Sequence, residues 1–219
     1  MDALALTVVL TSVPLILAAT GELIAEKSGV LNLGVEGMML MGAVAAFAVT
    51  SVSGNPYFGV ISGALAGSIT AGVFAVFALA LATNQVATGL ALTIFGAGLS
   101  GLIGAPYVGG TIEGLSILAI PFLSELPVLG SLFFKLDPLA YFSFLMLGFV
   151  GFFLNNTRAG LILRAVGNNH DSAHALGYSV LQVRCGAVLF GGIMAGLAGA
   201  YLPLVLTPHW SEGMTAGRG

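Results

Sequence analysis

Long apolar runs broken by short polar stretches dominate the chain. Leu4 to Ala19 forms a short first run, with Pro14 as a kink that neighbouring helices can accommodate. Further runs extend from about Leu33 to Ser53, Tyr57 to Ala82, Pro138 to Asn155 and Ala187 to Leu206. Val86 to Gly104 reads either as one crossing or as a re-entrant pair of half-helices. Apolar segments of about 20 residues are what a helix needs to span hydrocarbon. The pattern therefore predicts an all-α polytopic membrane protein, a single membrane-embedded domain over residues 1–219 with about six transmembrane helices. Asn55-Pro56 and Thr83-Asn84-Gln85 mark turns between runs. Ala105 to Asp137 makes a poor span, because Pro106, Pro121 and Pro127 interrupt it and expose Glu113 and Glu125. It reads as a folded outer loop with short interfacial helices.

Composition agrees with this class. Charged residues make up 7% and hydrophobic ones 58%, where a soluble domain carries about a quarter charged. Mean hydropathy is +1.05. The 32 glycines suit close helix approach in lipid. A net charge of −3 leaves no footprint for nucleic acid, and the single Cys185 excludes a disulfide framework. Asp2, with no Lys or Arg before the first run, marks a first span rather than a cleaved signal peptide.

Charge also orients the chain. The polar stretch RAGLILRAVGNNHDSAHALGYSVLQVR, residues 158–184, holds three of the six basic residues, Arg158, Arg164 and Arg184. The positive-inside rule makes that stretch cytoplasmic. Residues 20–32 and 83–85 then lie inside, and 105–137 and the N-terminus outside. An internal repeat supports two similarly directed segments: FGAGLSGLIGAPY (95–107) and FGGIMAGLAGAY (190–201) share F-G-x4-G-L-x-G-A. EGMMLMGA (36–43) against EGMTAGRG (212–219) is a second, looser echo.

Candidate chemistry is sparse. His170 and His174 stand i, i+4 on a short helical stretch, but a zinc-peptidase pattern needs glutamate where Asp171 stands, and no third ligand is near. They read as surface histidines, with a membrane metalloenzyme as the competing class. Glu36 falls inside a predicted span, where an ionisable residue is costly. Two readings stand: a functional carboxylate, which would make the chain an ion-coupled carrier, or a partner for Lys27. Asn32, Glu36, Asn84 and Gln85 are the candidate polar contacts along a solute pathway, or simply ties between helices. No catalytic constellation and no P-loop lysine appear, so ATP is not bound by this chain. Arg164 to Gly177 has the form of a docking element for a soluble partner, with Asn168 or Asn169 as its cap and Gly177 as its stop. A plain solvated loop is the alternative.

The stretch LRAVGNNHDSAHALGYSVLQVR resembles the coupling-helix segment of ABC importer permeases of the ribose, branched-chain amino acid and nucleoside type. Arg164, Ala165, Gly167, Asn169, Ala173 and Gly177 match that family's pattern in order, while His170 and His174 replace its usual proline and second alanine. GELIAEKSGVLNLGVEGMMLMGA, NQVATGLAL and EGMTAGRG are similar to the nucleoside (guanosine-type) branch. The resemblance implies a type II-like permease bundle in a bacterial or archaeal cell membrane, translocating a nucleoside, or alternatively a sugar or branched-chain amino acid. It also implies ATPase subunits that carry ATP and Mg, a second permease subunit, and an extracytoplasmic substrate-binding protein. Members of the family continue beyond the G-R-G segment, so a further C-terminal part is expected.

Overall fold

The computed structural model describes residues 2–119 and 134–219. Among them, six helices are long and apolar enough to cross a membrane. They are α1 (Asp2–Lys27), α2 (Val35–Ser53), α3 (Pro56–Ala75), α4 (Gln85–Gly104), α5 (Pro138–Asn156) and α8 (Val180–Tyr201). Between α5 and α8 lie two shorter helices, α6 (Arg158–Asn168) and α7 (His170–Ala175). The segment 86–104 is thus one continuous crossing, not a pair of half-helices.

The boundaries follow from capping chemistry. Asn55, Asn84, Asp137, Thr157 and Asn169 each accept a backbone N–H at the start of α3, α4, α5, α6 and α7. These short polar side chains satisfy amides that have no partner within the helix. Asp137 does more than cap. One oxygen accepts from Ala140 N at 2.9 Å and the other from the Tyr201 hydroxyl at 2.9 Å. Both residues are buried, so the pair closes α5 onto α8 with its polar atoms satisfied.

Two expectations shift. The first span does not end at Ala19, because α1 continues to Lys27. Glu22, Ala25, Glu26 and Lys27 are good helix formers, and Lys27 sits favourably at the negative end of the helix dipole. In the outer segment, the described residues carry one 3₁₀ turn (Ala105–Tyr107) and a short antiparallel pair, β1 (Leu118–Ala119) with β2 (Lys135–Leu136). The short helices expected there find no α-helical counterpart in the described part, and Pro121, Glu125 and Pro127 lie outside the described residues.

α8 is the central span, packed against α1, α2 and α3. Lipid offers no hydrophobic drive for helix pairing, so close packing must hold these spans together. The contact is backbone on backbone. A side chain at Gly67 of α3 would collide with the Gly192 carbonyl and lie 2.6 Å from Gly196 Cα. Gly42 of α2 also approaches the Gly196 backbone closely. Outward faces carry Ile69, Ile94 and Leu102, all strongly exposed as lipid-facing side chains should be.

The repeated motifs lie in α4, with the 3₁₀ turn that follows it, and in α8. Their ends meet on one face through the bridges Val108 to Trp210 and Thr111 to His209. The second echo does not persist: 36–43 is helical in α2, whereas 212–219 is a series of turns with positive φ at Gly213, Ala216 and Gly217.

Candidate functional site

One end of the bundle gathers Lys27, Arg158, Arg164 and Arg184, and α6 and α7 cover it. We call it the basic face. α6 is amphipathic: Leu163 and Val166 are buried, while Arg158, Leu161 and Ala165 are exposed. Asn169, rather than Asn168, caps α7, accepting Ser172 N at 3.0 Å. α7 ends in a Schellman motif, with Tyr178 N bonding Ala173 O at 3.2 Å and Gly177 N bonding His174 O at 2.9 Å. Gly177 supplies the left-handed backbone, φ +88°, that this motif requires.

The six residues singled out for partner coupling separate into two groups. Gly167, Asn169, Ala173 and Gly177 shape the element: a close approach, a cap, a buried contact and a turn. Arg164 is half-buried, its Nε enclosed without a protein acceptor, and Ala165 is exposed. The exposed surface of the element is made by Ala165, His170, Asp171, His174, Leu176 and Tyr178. Beside it, His174, Gly177, Tyr178 and Leu181 line a shallow depression of about 430 Å³. His170 Nε2 lies 3.4 Å from Asp171 Oδ1, both side chains open to solvent. Among the described residues, no three His, Cys, Asp or Glu stand together as metal ligands would.

Beneath α6 lies the turn joining α1 to α2, residues 28–34. Asn32 is buried; its Oδ1 accepts Gly34 N at 3.0 Å and its own N–H reaches Glu22 Oε1 at 3.1 Å. Gln85 Oε1 accepts Leu31 N at 2.9 Å, and Asn84 caps α4. Three of the four residues considered for a solute pathway therefore have hydrogen bonds holding the chain itself. Glu22, whose other oxygen is buried without a protein donor, joins this cluster. The run of charges in GELIAEK was its signal, passed over because the first run was ended at Ala19.

The fourth, Glu36, sits in the first turn of α2, where the helix dipole favours a carboxylate. It is held by residues 207–219 rather than by Lys27. Thr215 donates its hydroxyl to Glu36 Oε1, Gly217 N donates to the same oxygen at 2.8 Å, and Gly219 N donates to Oε2. The positive φ values at Gly213, Ala216 and Gly217 turn these amides toward one point, a backbone nest suited to an anion. Thr215 and Trp210 are buried, Trp210 against Ala43, Val44 and Phe47 of α2. Glu36 is thus a clasp for a segment that folds back along α2 and α4.

A family model described as a branched-chain amino acid transport system / permease component matches residues 4–219. The chain belongs to this permease family. With six helices among the described residues long and apolar enough to cross, it is a multi-pass cell-membrane protein. A putative glucose ABC transporter permease protein of Haloferax volcanii is 42% identical over 209 residues, covering 94% of this chain and 64% of its own length. A nucleoside ABC transporter permease protein of Lactococcus lactis is 31% identical, with 95% and 69% covered. A guanosine ABC transporter permease protein of Bacillus subtilis is likewise 31% identical, with 94% and 68% covered. The chain therefore spans 64% to 69% of the length of these relatives. No solved structure matches it.

In this permease the clasp gives a direct prediction. Glu36→Leu releases two exposed amides to water but leaves the buried Thr215 hydroxyl without its acceptor, and an unmade bond to a buried group costs about 1–3 kcal/mol. Thermal unfolding in detergent should fall accordingly, and protease should cut within 207–219. Glu36→Gln, which keeps one carbonyl acceptor, should lose about half as much.

Proposed function

We propose that this chain is the membrane-spanning permease subunit of an ATP-driven importer for a small polar solute, a nucleoside. The observation that supports it most is the α6–α7 element. It is a capped, outward-facing helical unit on the basic face, built from the residues that resemble a coupling helix, in a chain of the permease family. In this reading the basic face is cytoplasmic. ATP and Mg belong to separate ATPase subunits that dock on α6–α7, and a substrate-binding protein delivers solute to the opposite face. A second permease subunit completes the pathway. The chain hydrolyses nothing itself. Its task is to convert partner closure into two arrangements of the bundle, each favoured by a different set of contacts. Asn32, Asn84, Gln85 and Glu36 serve by shaping the ends of α2 and α4 that border this pathway.

The guanosine and nucleoside relatives favour the nucleoside. The 42% identity to the putative glucose permease carries a second reading, a sugar solute. Both solutes are rich in hydroxyls, whose hydration the pathway must replace. The deciding measurement is uptake of tritiated guanosine and of labelled glucose into cells with and without this chain. Loss of guanosine uptake alone supports the nucleoside reading, and loss of glucose uptake alone supports the sugar. Uptake that follows an ion gradient and survives ATP depletion would replace the importer by an ion-coupled carrier.

A further inference from the structure

Three elements meet at residues 27–29, two of them backbone against backbone. A side chain at Gly167 of α6 would collide with the carbonyl of Lys27, the last residue of α1, and lie 3.1 Å from Gly29 N. Gly29, at φ +84°, in turn lies against Gly167, a Cβ there falling 3.2 Å from Gly167 Cα. The third element is α8. Arg184 reaches from its second turn and donates Nε to Ser28 O at 3.1 Å, 156 residues away in sequence, with its Nη2 close to Gly29. The guanidinium thus neutralises the negative end of the α1 dipole while it ties α8 to the turn.

The other half of the turn is fixed to α4. Leu31 N bonds Gln85 Oε1, Thr93 Oγ1 donates to Leu33 O at 2.9 Å, and Gly89 admits Leu33 N so closely that a Cβ there would lie 2.7 Å from it. Asn32 N ties the same residues back to Glu22 of α1.

We infer that the 28–34 turn is the transmission element of this permease, and that Arg184 and Thr93 are its positioning residues. A displacement of α6–α7 passes directly, through backbone contact, to the end of α1 and the start of α2. Thr93 and Gln85 carry it to α4 and Arg184 carries it to α8. Packed interfaces of this kind shift between discrete arrangements instead of deforming, so severing one tie leaves α6–α7 moving while part of the bundle stays behind. The inference rests on the importer reading. It assigns to that reading a route through the protein.

The test uses the complete importer purified from its own membrane with its ATPase and reconstituted in liposomes with its binding protein, with tritiated guanosine and labelled glucose as probes. Arg184→Gln and Thr93→Val are compared with wild type for ATPase retention, ATP hydrolysis and uptake. Both residues lie away from the exposed face of α7. The expected result is retained ATPase and hydrolysis, with uptake per ATP lower by about tenfold, within the usual range of coupling effects. Arg184→Lys, which keeps a donor and charge, should recover part of the ratio. Uptake and hydrolysis that fall in step, or uptake per ATP unchanged in both variants, would overturn the inference while leaving the importer reading intact. Wild-type protein that retains no ATPase would instead overturn that reading and the relay with it. Should Arg184→Gln fail to fold, Thr93→Val, which removes one hydroxyl and conserves volume, decides alone.

Discussion

Replacing Gly67 by leucine is expected to leave little folded protein in the membrane. The new Cβ would land on the Gly192 carbonyl and within 2.6 Å of Gly196 Cα. Neither is the end of a flexible side chain, so α3 and α8 must separate along their length. Overpacking ordinarily costs about 1–3 kcal/mol. Here the displaced neighbours are backbone, and Gly42 of α2 is also pressed against Gly196, so about 3 kcal/mol or more is expected. Thermal unfolding in detergent and the yield of monodisperse protein report the loss. Gly98→Leu is the control, since a side chain at Gly98 meets nothing within 4 Å. It should insert and melt like wild type. Equal damage from both variants would mean that general intolerance of bulk, not this crossing, governs stability.

Leu176→Asp is expected to abolish stable retention of the ATPase without harming the fold. Leu176 follows the last turn of α7 and is 77% exposed, an apolar side chain on the element proposed to dock. The few anchor residues that dominate an interface each contribute about 2 kcal/mol or more, and Leu176 taken as one of them gives roughly a 30-fold change in affinity. Co-purification from native membranes should therefore fail, while thermal unfolding of the permease alone stays unchanged. His174→Ala, beside it, should weaken retention less and change no metal content. Gly167 and Ala173 are poorer choices for this experiment. Gly167 is pressed against Lys27 and Ala173 is buried, so bulky replacements there would confound docking with folding.

The apolar spans were legible in the sequence because a crossing helix imprints itself on about 20 consecutive residues. Asn169 and Gly177 were legible too, because capping and left-handed turns depend on local residue type. The end of α1 was missed: the first run was ended at Ala19, although Glu22, Glu26 and Lys27 have high helical propensity and Glu22 accepts from Asn32 N, ten residues away. What the sequence could not reveal lies at long separation. Glu36 presented itself as a lone membrane carboxylate, and its donors stand about 180 residues later in the chain, at 215–219. Arg184 seemed to belong to a basic loop, whereas its partner is Ser28. Asn84 and Gln85 looked like a polar break, yet one caps a helix and the other receives an amide from another turn. Polar residues in so apolar a chain attract functional readings, and several of these are fasteners.

The half-buried Cys185 stands beside Arg184 on α8, and it is the one cysteine in this sequence. It therefore offers a thiol label position one residue from the joint where α8 meets the end of α1. A thiol-reactive fluorophore or spin label attached there would report on that joint as the bundle moves, with no introduced cysteine.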